Sequence, residues 1–292
     1  MRVCATICRG DNMADRLTSL SVNNTLKAAD YAQMRDAGID CVEISMLDYM
    51  YDGLDINEVV NNAASAGIKV RSFHLRFYPF DKVDISSLDE EKRVYAVEYQ
   101  KSFIKKVSEA GIHIFVIHPS GEPISETERN AKMLAAKRSL AELAAYADAF
   151  GSVIAVEDLP RTCLGNCSKE MLELLSADSR LRVTFDVNHL LKESHKDFVR
   201  AVGKYIVNTH FSDYDFIDER HWLPGEGDIN WIELMDLLDE AGYEGAINYE
   251  LSRTSPRFLT RERDIEYADI KRNHHCLENH LPLETFCTRQ KI

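Results

Sequence analysis

Two residues whose side chains can bind metal or transfer protons follow a short apolar run in the middle of the chain. The run extends from Arg182 to Phe185, and Asp186 and His189 come after it. A buried strand that ends in a carboxylate and an imidazole three residues apart offers two metal ligands or acid/base groups at one rim. The alternative is structural, with Asp186 capping the next turn and His189 a hydrogen-bonded core histidine. The choice depends on whether other strands end in the same way.

The other apolar, β-prone runs also end in carboxylate or imidazole groups. Charged groups at the end of a buried strand are costly unless they are paired or bound to metal, so the repetition indicates a shared site. A network of buried ion pairs is the alternative, but few lysines or arginines lie at these ends, and the nearest, Arg71, lies inside the third run. The residues at the strand ends are Glu43, His74, His118, Glu157 with Asp158, Asp186 with His189, His210 with Asp213, and Glu250.

Four of these residues form a set that is typical of a divalent metal site. Three carboxylates and one imidazole suit a hard to borderline cation, so we expect one Mn²⁺, Mg²⁺, Co²⁺ or Zn²⁺ ion. Glu43 is a candidate for a contact with the substrate or with a metal ligand, or else a packed carboxylate of the interior. The four expected ligands are Glu157, Asp186, His210 and Glu250.

A loop rich in glycine and charge follows the seventh run. Its segment Pro224-Gly-Glu-Gly227 predicts a tight turn whose backbone N–H groups face an anion just before a helix. Asp228 is expected to cap that helix. Two residues earlier in the loop are candidates for a second metal site or for a substrate contact, namely Glu219 and His221.

The elements that position these residues repeat along the chain. Apolar residues at helical spacing alternate with the β-prone runs, and several predicted helices end at a glycine. Eight strand–helix units, spaced by about 25–45 residues, favour a closed (β/α)8 TIM barrel over an open sheet. The first strand is not followed by a G-x-G-x-x-G loop, which removes the usual argument for a dinucleotide site. The predicted strands are Cys4–Cys8, Cys41–Met46, Lys69–Leu75, Ile112–His118, Ser152–Glu157, Arg182–Phe185, Ile206–Asp213 and Ala246–Leu251.

Helices are predicted between the strands, and Asp11–Asn24 is predicted to be a polar loop. Residues 1–278 are expected to form the barrel domain, and residues 279–292 a loose C-terminal tail. The predicted helices are Thr25–Ala37, Ile56–Ala66, Leu88–Ala110, Ser125–Phe150, Ser168–Ser176, Asp197–Val202, Trp231–Ala241 and Pro256–Leu277.

Composition restricts the class of partner. The 292 residues include 35 Lys and Arg against 48 Asp and Glu, and the net charge of −13 argues against a nucleic-acid partner. No run of 18 apolar residues predicts a membrane span, and the apolar part of the N-terminus is too short for a signal peptide. Seven cysteines at irregular spacing indicate reduced thiols in a cytoplasmic protein rather than a structural zinc site.

Seven short motifs together carry a resemblance to a known group of proteins. They are Ser-Phe-His74-Leu, Val-Ile-His118-Pro, Val-Glu157-Asp, Phe-Asp186-Val-Asn-His189, Thr-His210-Phe-Ser-Asp213, the Pro-Gly-Glu-Gly-Asp loop and Tyr-Glu250-Leu. The chain resembles the xylose isomerase-like TIM barrel superfamily, which includes sugar isomerases and epimerases, inosose dehydratase and endonuclease IV. The resemblance covers about residues 3–270, and it is specific for the superfamily rather than for one member.

The resemblance implies a role for each strand-end residue. Glu157, Asp186, His210 and Glu250 would hold one divalent metal, and His189 would contact the substrate beside it. Glu157 and Glu250 would also act as acid and base on opposite faces of the substrate carbon. The implied reaction is isomerisation or epimerisation of a sugar or sugar phosphate, in which removal of a proton next to a carbonyl gives a metal-stabilised enediolate. The expected partner is thus a small sugar or polyol, and the further expected substrate contacts are His74, His118, Glu219 and His221.

Two other activities of the superfamily are alternatives. An inosose dehydratase-like lyase would use the same metal and bases but would expel a hydroxyl group as water. A phosphodiesterase resembling endonuclease IV would use three zinc ions, with further ligands that match His74, His118, His189 and an Asp-x-His pair. A second metal near His74, His118, Glu219 and His221 is accordingly an alternative. That branch has Asp-x-His where this chain has Glu219-Arg-His221, so the carboxylate is one methylene longer. Barrels of this size often pair, so a homo-oligomer is a further expectation.

Overall fold

Eight parallel strands form a ring in this computed structural model, which describes residues 15–22, 27–254 and 256–290. The strands β1 to β8 are Thr18–Val22, Cys41–Ile44, Lys69–His74, Ile114–Ile117, Val153–Glu157, Arg182–Asp186, Ile206–His210 and Ile247–Tyr249. Their order around the ring is β7-β6-β5-β4-β3-β2-β1-β8. The predicted (β/α)8 TIM barrel is therefore confirmed.

The ring closes between β7 and β8 through Phe211, the residue after β7. Its N–H donates to the carbonyl of Asn248 at 2.7 Å, and its carbonyl accepts from the N–H of Glu250 at 3.2 Å. Phe211 and Tyr249 form an isolated parallel bridge. Closure brings the carboxyl ends of all the strands to one rim, where the acidic and imidazole side chains lie.

Helices connect the strands and cover the outside of the ring. A typical example is the helix Glu90–Glu109, α4, which begins after Asp89. The side chain of Asp89 accepts from the N–H groups of Glu91 and Lys92. The helix ends just before Gly111, whose φ of 88° suits the residue after a helix C-terminus. The helices α1 to α9 are Ala28–Asp36, Ile56–Ser65, Phe80–Val83, Glu90–Glu109, Glu126–Asp148, Ser168–Leu175, His195–Val202, Trp231–Glu240 and Tyr267–Glu278.

None of the helices in the described part of the chain is both long enough and apolar enough to cross a membrane.

A buried aromatic cluster fixes the strand that carries His74. Phe73 of β3 packs against Tyr51, Phe103 and Phe115, with ring centroids 6.1–6.4 Å away. Each buried ring stabilises the fold by about 2–3 kcal/mol. The hydroxyl of Tyr51 donates to the carbonyl of His74 at 2.9 Å, so the cluster is also bonded to the rim residue itself.

The first strand is not where the sequence places it. The predicted strand Cys4–Cys8 lies outside the described residues, and β1 lies inside Asp11–Asn24, so the prediction of a polar loop is wrong there. The strand is polar because its hydroxyls bond to polar neighbours inside the barrel. The Oγ of Ser19 donates to Oδ1 of Asn248 at 2.7 Å, and the Oγ of Ser21 donates to Oε1 of Glu43 at 3.3 Å.

The C-terminal segment also differs from the prediction. The helix predicted from Pro256 begins only at Tyr267, and Leu259–Arg261 forms a strand, β9, that pairs antiparallel with β10, Cys287–Arg289. Extended backbone is favoured because Nη2 of Arg261 reaches Oε2 of Glu226 at 2.6 Å, with both side chains almost fully buried. Residues 287–289 are therefore not part of a loose tail, and the domain boundary at residue 278 stays a prediction.

Candidate active site at the rim of the barrel

Four side chains from consecutive strands meet at the rim, and we call them the quartet. Glu157 ends β5, Asp186 ends β6, His210 ends β7 and Glu250 follows β8 directly. Nδ1 of His210 lies 2.8 Å from Oε2 of Glu250 and 3.0 Å from Oε1 of Glu157. One ligand atom from each residue lies within 4.8 Å of the other three. The structure thus brings together the four residues that the sequence predicts as metal ligands.

Asp186 gives the clearest sign that the quartet fits a cation. Its Oδ2 is buried and has no hydrogen-bond partner among the described residues. The nearest imidazole nitrogens are Nε2 of His189 at 3.5 Å and Nδ1 of His210 at 3.7 Å. A buried carboxylate oxygen without a partner is costly, and a metal ion removes that cost. The donor set of three carboxylates and one imidazole fits a divalent ion.

The hydrogen bonds of His210 support the same conclusion. Its Nε2 lies 2.7 Å from a carboxylate oxygen of Glu43, which can only accept, so Nε2 carries a proton. Nδ1 then faces the carboxylates of Glu157 and Glu250, which requires either a second proton or a cation between them. Burial lowers the pKa of His210, but the charges of Glu250 and Glu43 outweigh it and raise the pKa well above its usual value. A cation that binds here would release that proton.

Glu43 lies in the barrel interior, in contact with the quartet. Its side chain is fully buried, and Oε2 accepts from Ser72 Oγ at 2.7 Å and from Asn208 Nδ2 at 2.8 Å. Of the roles considered from the sequence, the structure favours a packed interior carboxylate that also orients a predicted metal ligand, His210. Glu43 is not among the described residues that line the pocket at this rim.

Glu157 also belongs to a second group of candidate ligands. Its Oε2 lies 3.1 Å from Nε2 of both His74 and His118. Burial raises the pKa of Glu157, but the charges of His210 and His118 hold it well below its usual value. Among the described residues, this second group consists of His74, His118 and Glu157, and it includes neither Glu219 nor His221. The predicted second metal site is therefore only partly assembled.

His189 connects the quartet to the loop after β7. Its Nδ1 donates to the carbonyl of Asp158 at 2.8 Å, and its Nε2 lies 3.2 Å from Oε2 of Glu219. Burial raises the pKa of Glu219, but His189 and a nearby arginine lower it to about 2. His221 places Nδ1 3.2 Å from the carbonyl of Glu250. All three predicted contact residues, His189, Glu219 and His221, line one pocket.

That pocket encloses about 220 Å³ and contains both glutamates of the quartet, with His74 and His118. Phe77, whose ring stacks on His118 with centroids 4.3 Å apart, forms part of an apolar wall. Sequence reasoning missed two charged residues of the lining, Glu122 and Arg161. Arg161 lies four residues beyond Glu157, so its place just past a strand end is a signal present in the sequence. Nothing in the sequence pairs it with Glu122.

The tight turn after β7 binds an anion, but the anion belongs to the chain. The N–H of Gly225 donates to Oδ2 of Asp213 at 2.7 Å, and the N–H of Ile229 donates to Oδ1 at 3.2 Å. Nε1 of Trp231 donates to Oδ2 at 2.8 Å. The predicted anion site of the turn is therefore filled by the Asp213 carboxylate.

The cap predicted for the following helix is wrong. Asn230 caps α8, because its side chain accepts from the N–H of Glu233 at 3.3 Å. Asp228 lies two residues before the cap, and its Oδ1 pairs with Nη1 of Arg289 in β10 at 2.8 Å. The side chain of Asp228 therefore connects the loop to the C-terminal segment.

Comparison with known proteins places this geometry in a family. An uncharacterized protein of Methanocaldococcus jannaschii is 30% identical over 201 residues, 66% of this chain and 69% of that protein. D-psicose 3-epimerase of Ruminiclostridium cellulolyticum is 24% identical over 225 residues, 73% of this chain and 74% of the enzyme. The crystal structure of a D-tagatose 3-epimerase-like protein shares the fold with a TM-score of 0.73 and 22% identity, over 89% of this chain and 98% of that one. The family model of the xylose isomerase-like TIM barrel matches residues 31–270, and the chain belongs to that family.

Proposed function

We propose that the protein is a metal-dependent isomerase or epimerase of a sugar or sugar phosphate. The observation that carries the proposal is the convergence of two glutamates, Glu157 from β5 and Glu250 after β8, on one point of the pocket. The strands β6 and β7 separate them on the ring, which supports placing the two carboxylates on different sides of a bound substrate. A relative that is a D-psicose 3-epimerase supports this class of reaction.

The glutamates supply the proton transfers. A divalent ion held by the quartet would polarise a carbonyl and its adjacent hydroxyl, which acidifies the neighbouring C–H bond. One glutamate removes that proton and leaves an enediolate, and the other returns a proton. Return to the opposite face of the same carbon gives the epimer, whereas return to the adjacent carbon gives the isomer.

The remaining pocket residues bind and orient the sugar. Nε2 of His189 and the carboxylate of Glu219, 3.2 Å apart, form a polar pair beside Asp186 that can bond to a substrate hydroxyl. The rings of Phe77 and His118 form a flat surface that keeps water from the reacting carbon. We assign His74 and His221 to substrate contact on their position in the same pocket.

The test is isotope exchange on a panel of ketoses in D₂O, with Mn²⁺, Mg²⁺, Co²⁺ and Zn²⁺ supplied in turn. We expect deuterium to appear at the carbon next to the carbonyl, together with the epimer or isomer. Glu157→Gln and Glu250→Gln should each fold normally and lose at least about 100-fold in turnover, the scale of a missing general acid or base. Each single variant should still exchange deuterium on the face of the substrate carbon that the remaining glutamate contacts.

The control is Glu244→Gln, a change of an exposed glutamate just before β8, which should leave turnover unchanged. Undiminished turnover in the variant that lacks both Glu157 and Glu250 would overturn the proposal. A product that has lost water would instead identify the lyase, which uses the same residues.

A second candidate is a multi-zinc phosphodiesterase, which is favoured by the group formed by His74, His118 and Glu157. Glu219, a ligand expected for such a centre, is instead paired with Arg161 at 3.0 Å and with His189. About three zinc ions per chain and cleavage of an abasic oligonucleotide would support this candidate. One metal ion per chain and no cleavage of the oligonucleotide would exclude the phosphodiesterase and favour the isomerase.

A further inference from the structure

Arg161 is surrounded by carboxylates in the lining of the pocket. Its guanidinium donates twice to Glu122, from Nη2 to Oε1 at 2.6 Å and from Nε to Oε2 at 3.1 Å. Nη1 lies 2.8 Å from Oδ1 of Asp218 and 3.0 Å from Oε1 of Glu219. Three acidic side chains from two other loops therefore already bind this one cation.

The end of the pocket around Arg161 carries more carboxylates than cations. Among the described residues that line the pocket, Arg161 is the only lysine or arginine. It is shared by Glu122, Asp218 and Glu219, and Glu219 also pairs with His189. A phosphate monoester carries nearly two negative charges at neutral pH, so its approach to these three carboxylates is opposed.

In the loops that often bind phosphate in TIM barrels, several donor groups are already bonded to other groups of the chain. Such sites form in the loops after the seventh and eighth strands. In the first of these loops, the N–H groups of Gly225 and Ile229 donate to Asp213. In the second, Nε of Arg253 donates to the carbonyl of Ile265 at 2.9 Å, and its guanidinium lies over the ring of Tyr267 at 3.9 Å.

Arg161 is held in place by its backbone as well as by its ion pairs. Its φ of 51° lies in the left-handed region, which is unfavourable for a residue other than glycine and needs support from its surroundings. Nδ2 of Asn166 donates to its carbonyl at 2.9 Å. The guanidinium is therefore part of a formed site before any substrate arrives.

We propose that Glu122 and Arg161 select a sugar with a free hydroxyl beside them in the pocket and exclude sugar phosphates. The proposal rests on the proposed function, because it concerns the substrate of that reaction. A hydroxyl group both donates and accepts, so it can accept from Arg161 and donate to Glu122 or Glu219 without displacing either. A phosphate dianion only accepts, and it must compete with carboxylates for the same N–H groups.

The experiment compares matched pairs that differ only in the phosphate. Turnover is measured with D-fructose and D-fructose 6-phosphate, and with D-ribulose and D-ribulose 5-phosphate. Binding is measured by calorimetry with D-glucitol and D-glucitol 6-phosphate, which have no carbonyl and cannot react. We expect each free compound to be preferred by at least about tenfold in kcat/KM or in Kd.

Two variants test the residues themselves. Glu122→Gln removes one charge and one of the two oxygens that accept from Arg161, so the preference for D-glucitol over its phosphate should fall at least about fivefold. Arg161→Met should weaken D-glucitol binding and leave the phosphate excluded. The control is Glu90→Gln, because Glu90 is an exposed carboxylate bound to Arg93 and Arg138 in the same manner, away from the pocket.

The outcomes separate this proposal from the proposed function. Preferential binding of D-glucitol 6-phosphate, or faster turnover of the phosphates, would overturn the selectivity and leave the isomerase in place. No turnover of any sugar, with D-glucitol still preferred over its phosphate, would overturn the isomerase and leave the selectivity. An unchanged preference in correctly folded Glu122→Gln would overturn the role of Glu122.

Discussion

Glu43 accepts a hydrogen bond from Nε2 of His210 across 2.7 Å, and this contact leaves Nδ1 as the nitrogen that faces Glu157 and Glu250. Glu43, three strands away from His210 around the ring, thereby fixes the orientation of a predicted metal ligand. Such contacts to the ligands of a metal raise its affinity, because they hold each ligand ready to bind.

The Glu43→Gln variant should therefore bind metal more weakly. The amide keeps the shape of the side chain but loses the charge, and its NH₂ group cannot accept from Asn208. We expect a loss of about 10–100-fold in Mn²⁺ or Co²⁺ affinity, measured by titration, with an unchanged far-UV circular dichroism spectrum. Ser72→Ala is the control, since it removes one bond to Oε2 and leaves the His210 contact, so its loss should be below about threefold. Equal affinity in Glu43→Gln and the parent would contradict this account.

Metal should also stabilise the fold measurably. An ion at 100 times its Kd adds about 2.7 kcal/mol to the free energy of unfolding, or roughly 5–10 °C in Tm for a chain of this size. The chelator EDTA should reverse the gain. Asp186→Asn should abolish it, because Oδ2 of Asp186 is the buried oxygen that lacks a hydrogen-bond partner among the described residues. Asp228→Asn, at an exposed position, should keep the full gain, and a similar gain in both variants would exclude Asp186 as a ligand.

Gly227→Ala should destabilise the loop after β7. A Cβ at this position would lie 2.1 Å from Oδ1 of Asp213 and 2.4 Å from the carbonyl of Tyr214, and neither atom can move freely. We expect a loss of about 3 kcal/mol in the free energy of unfolding, measured by urea denaturation. Gly53→Ala is the matched control, because nothing lies within 4 Å of its Cβ, and its change should stay within about 0.5 kcal/mol. Equal urea midpoints for the two variants would show that a Cβ at position 227 does not clash with Asp213 and Tyr214.

Arg261→Met should destabilise the chain by leaving the Glu226 carboxylate buried without its cation. Both side chains are almost fully buried, and the contact is 2.6 Å. Removing one partner of such a pair costs about 3–5 kcal/mol. The double variant Arg261→Met with Glu226→Gln should recover part of the loss, and chemical denaturation of the two single variants and the double variant measures the coupling. A cost below about 1 kcal/mol for the single variant would show that the pair does not hold β9 in place.

The barrel and the quartet could be predicted because both depend on local patterns. In β5 and β6 an apolar run is followed at once by an acidic residue, Glu157 or Asp186, and a parallel barrel places all such ends at one rim. A single strand of this kind does not decide between structure and function, whereas the repetition over several strands favours a shared site.

The parts that could not be predicted depend on partners distant in sequence. Ser19 and Ser21 indicate a loop until their interior partners Asn248 and Glu43 are known. Arg261 fits a helical pattern, and its extended conformation depends on Glu226, 35 residues earlier. The pairing of Arg161 with Glu122 depends on two loop conformations, which no periodicity determines.

The carboxylate of Asp213 determines the shape of the turn in the loop after β7. Since the turn closes on a side chain of its own chain, its shape is set when the protein folds and costs no ordering entropy when a substrate binds. Glu219 and His221 lie earlier in the same loop and line the pocket. The wall that carries them therefore adjoins a turn whose shape needs no bound anion from outside the chain.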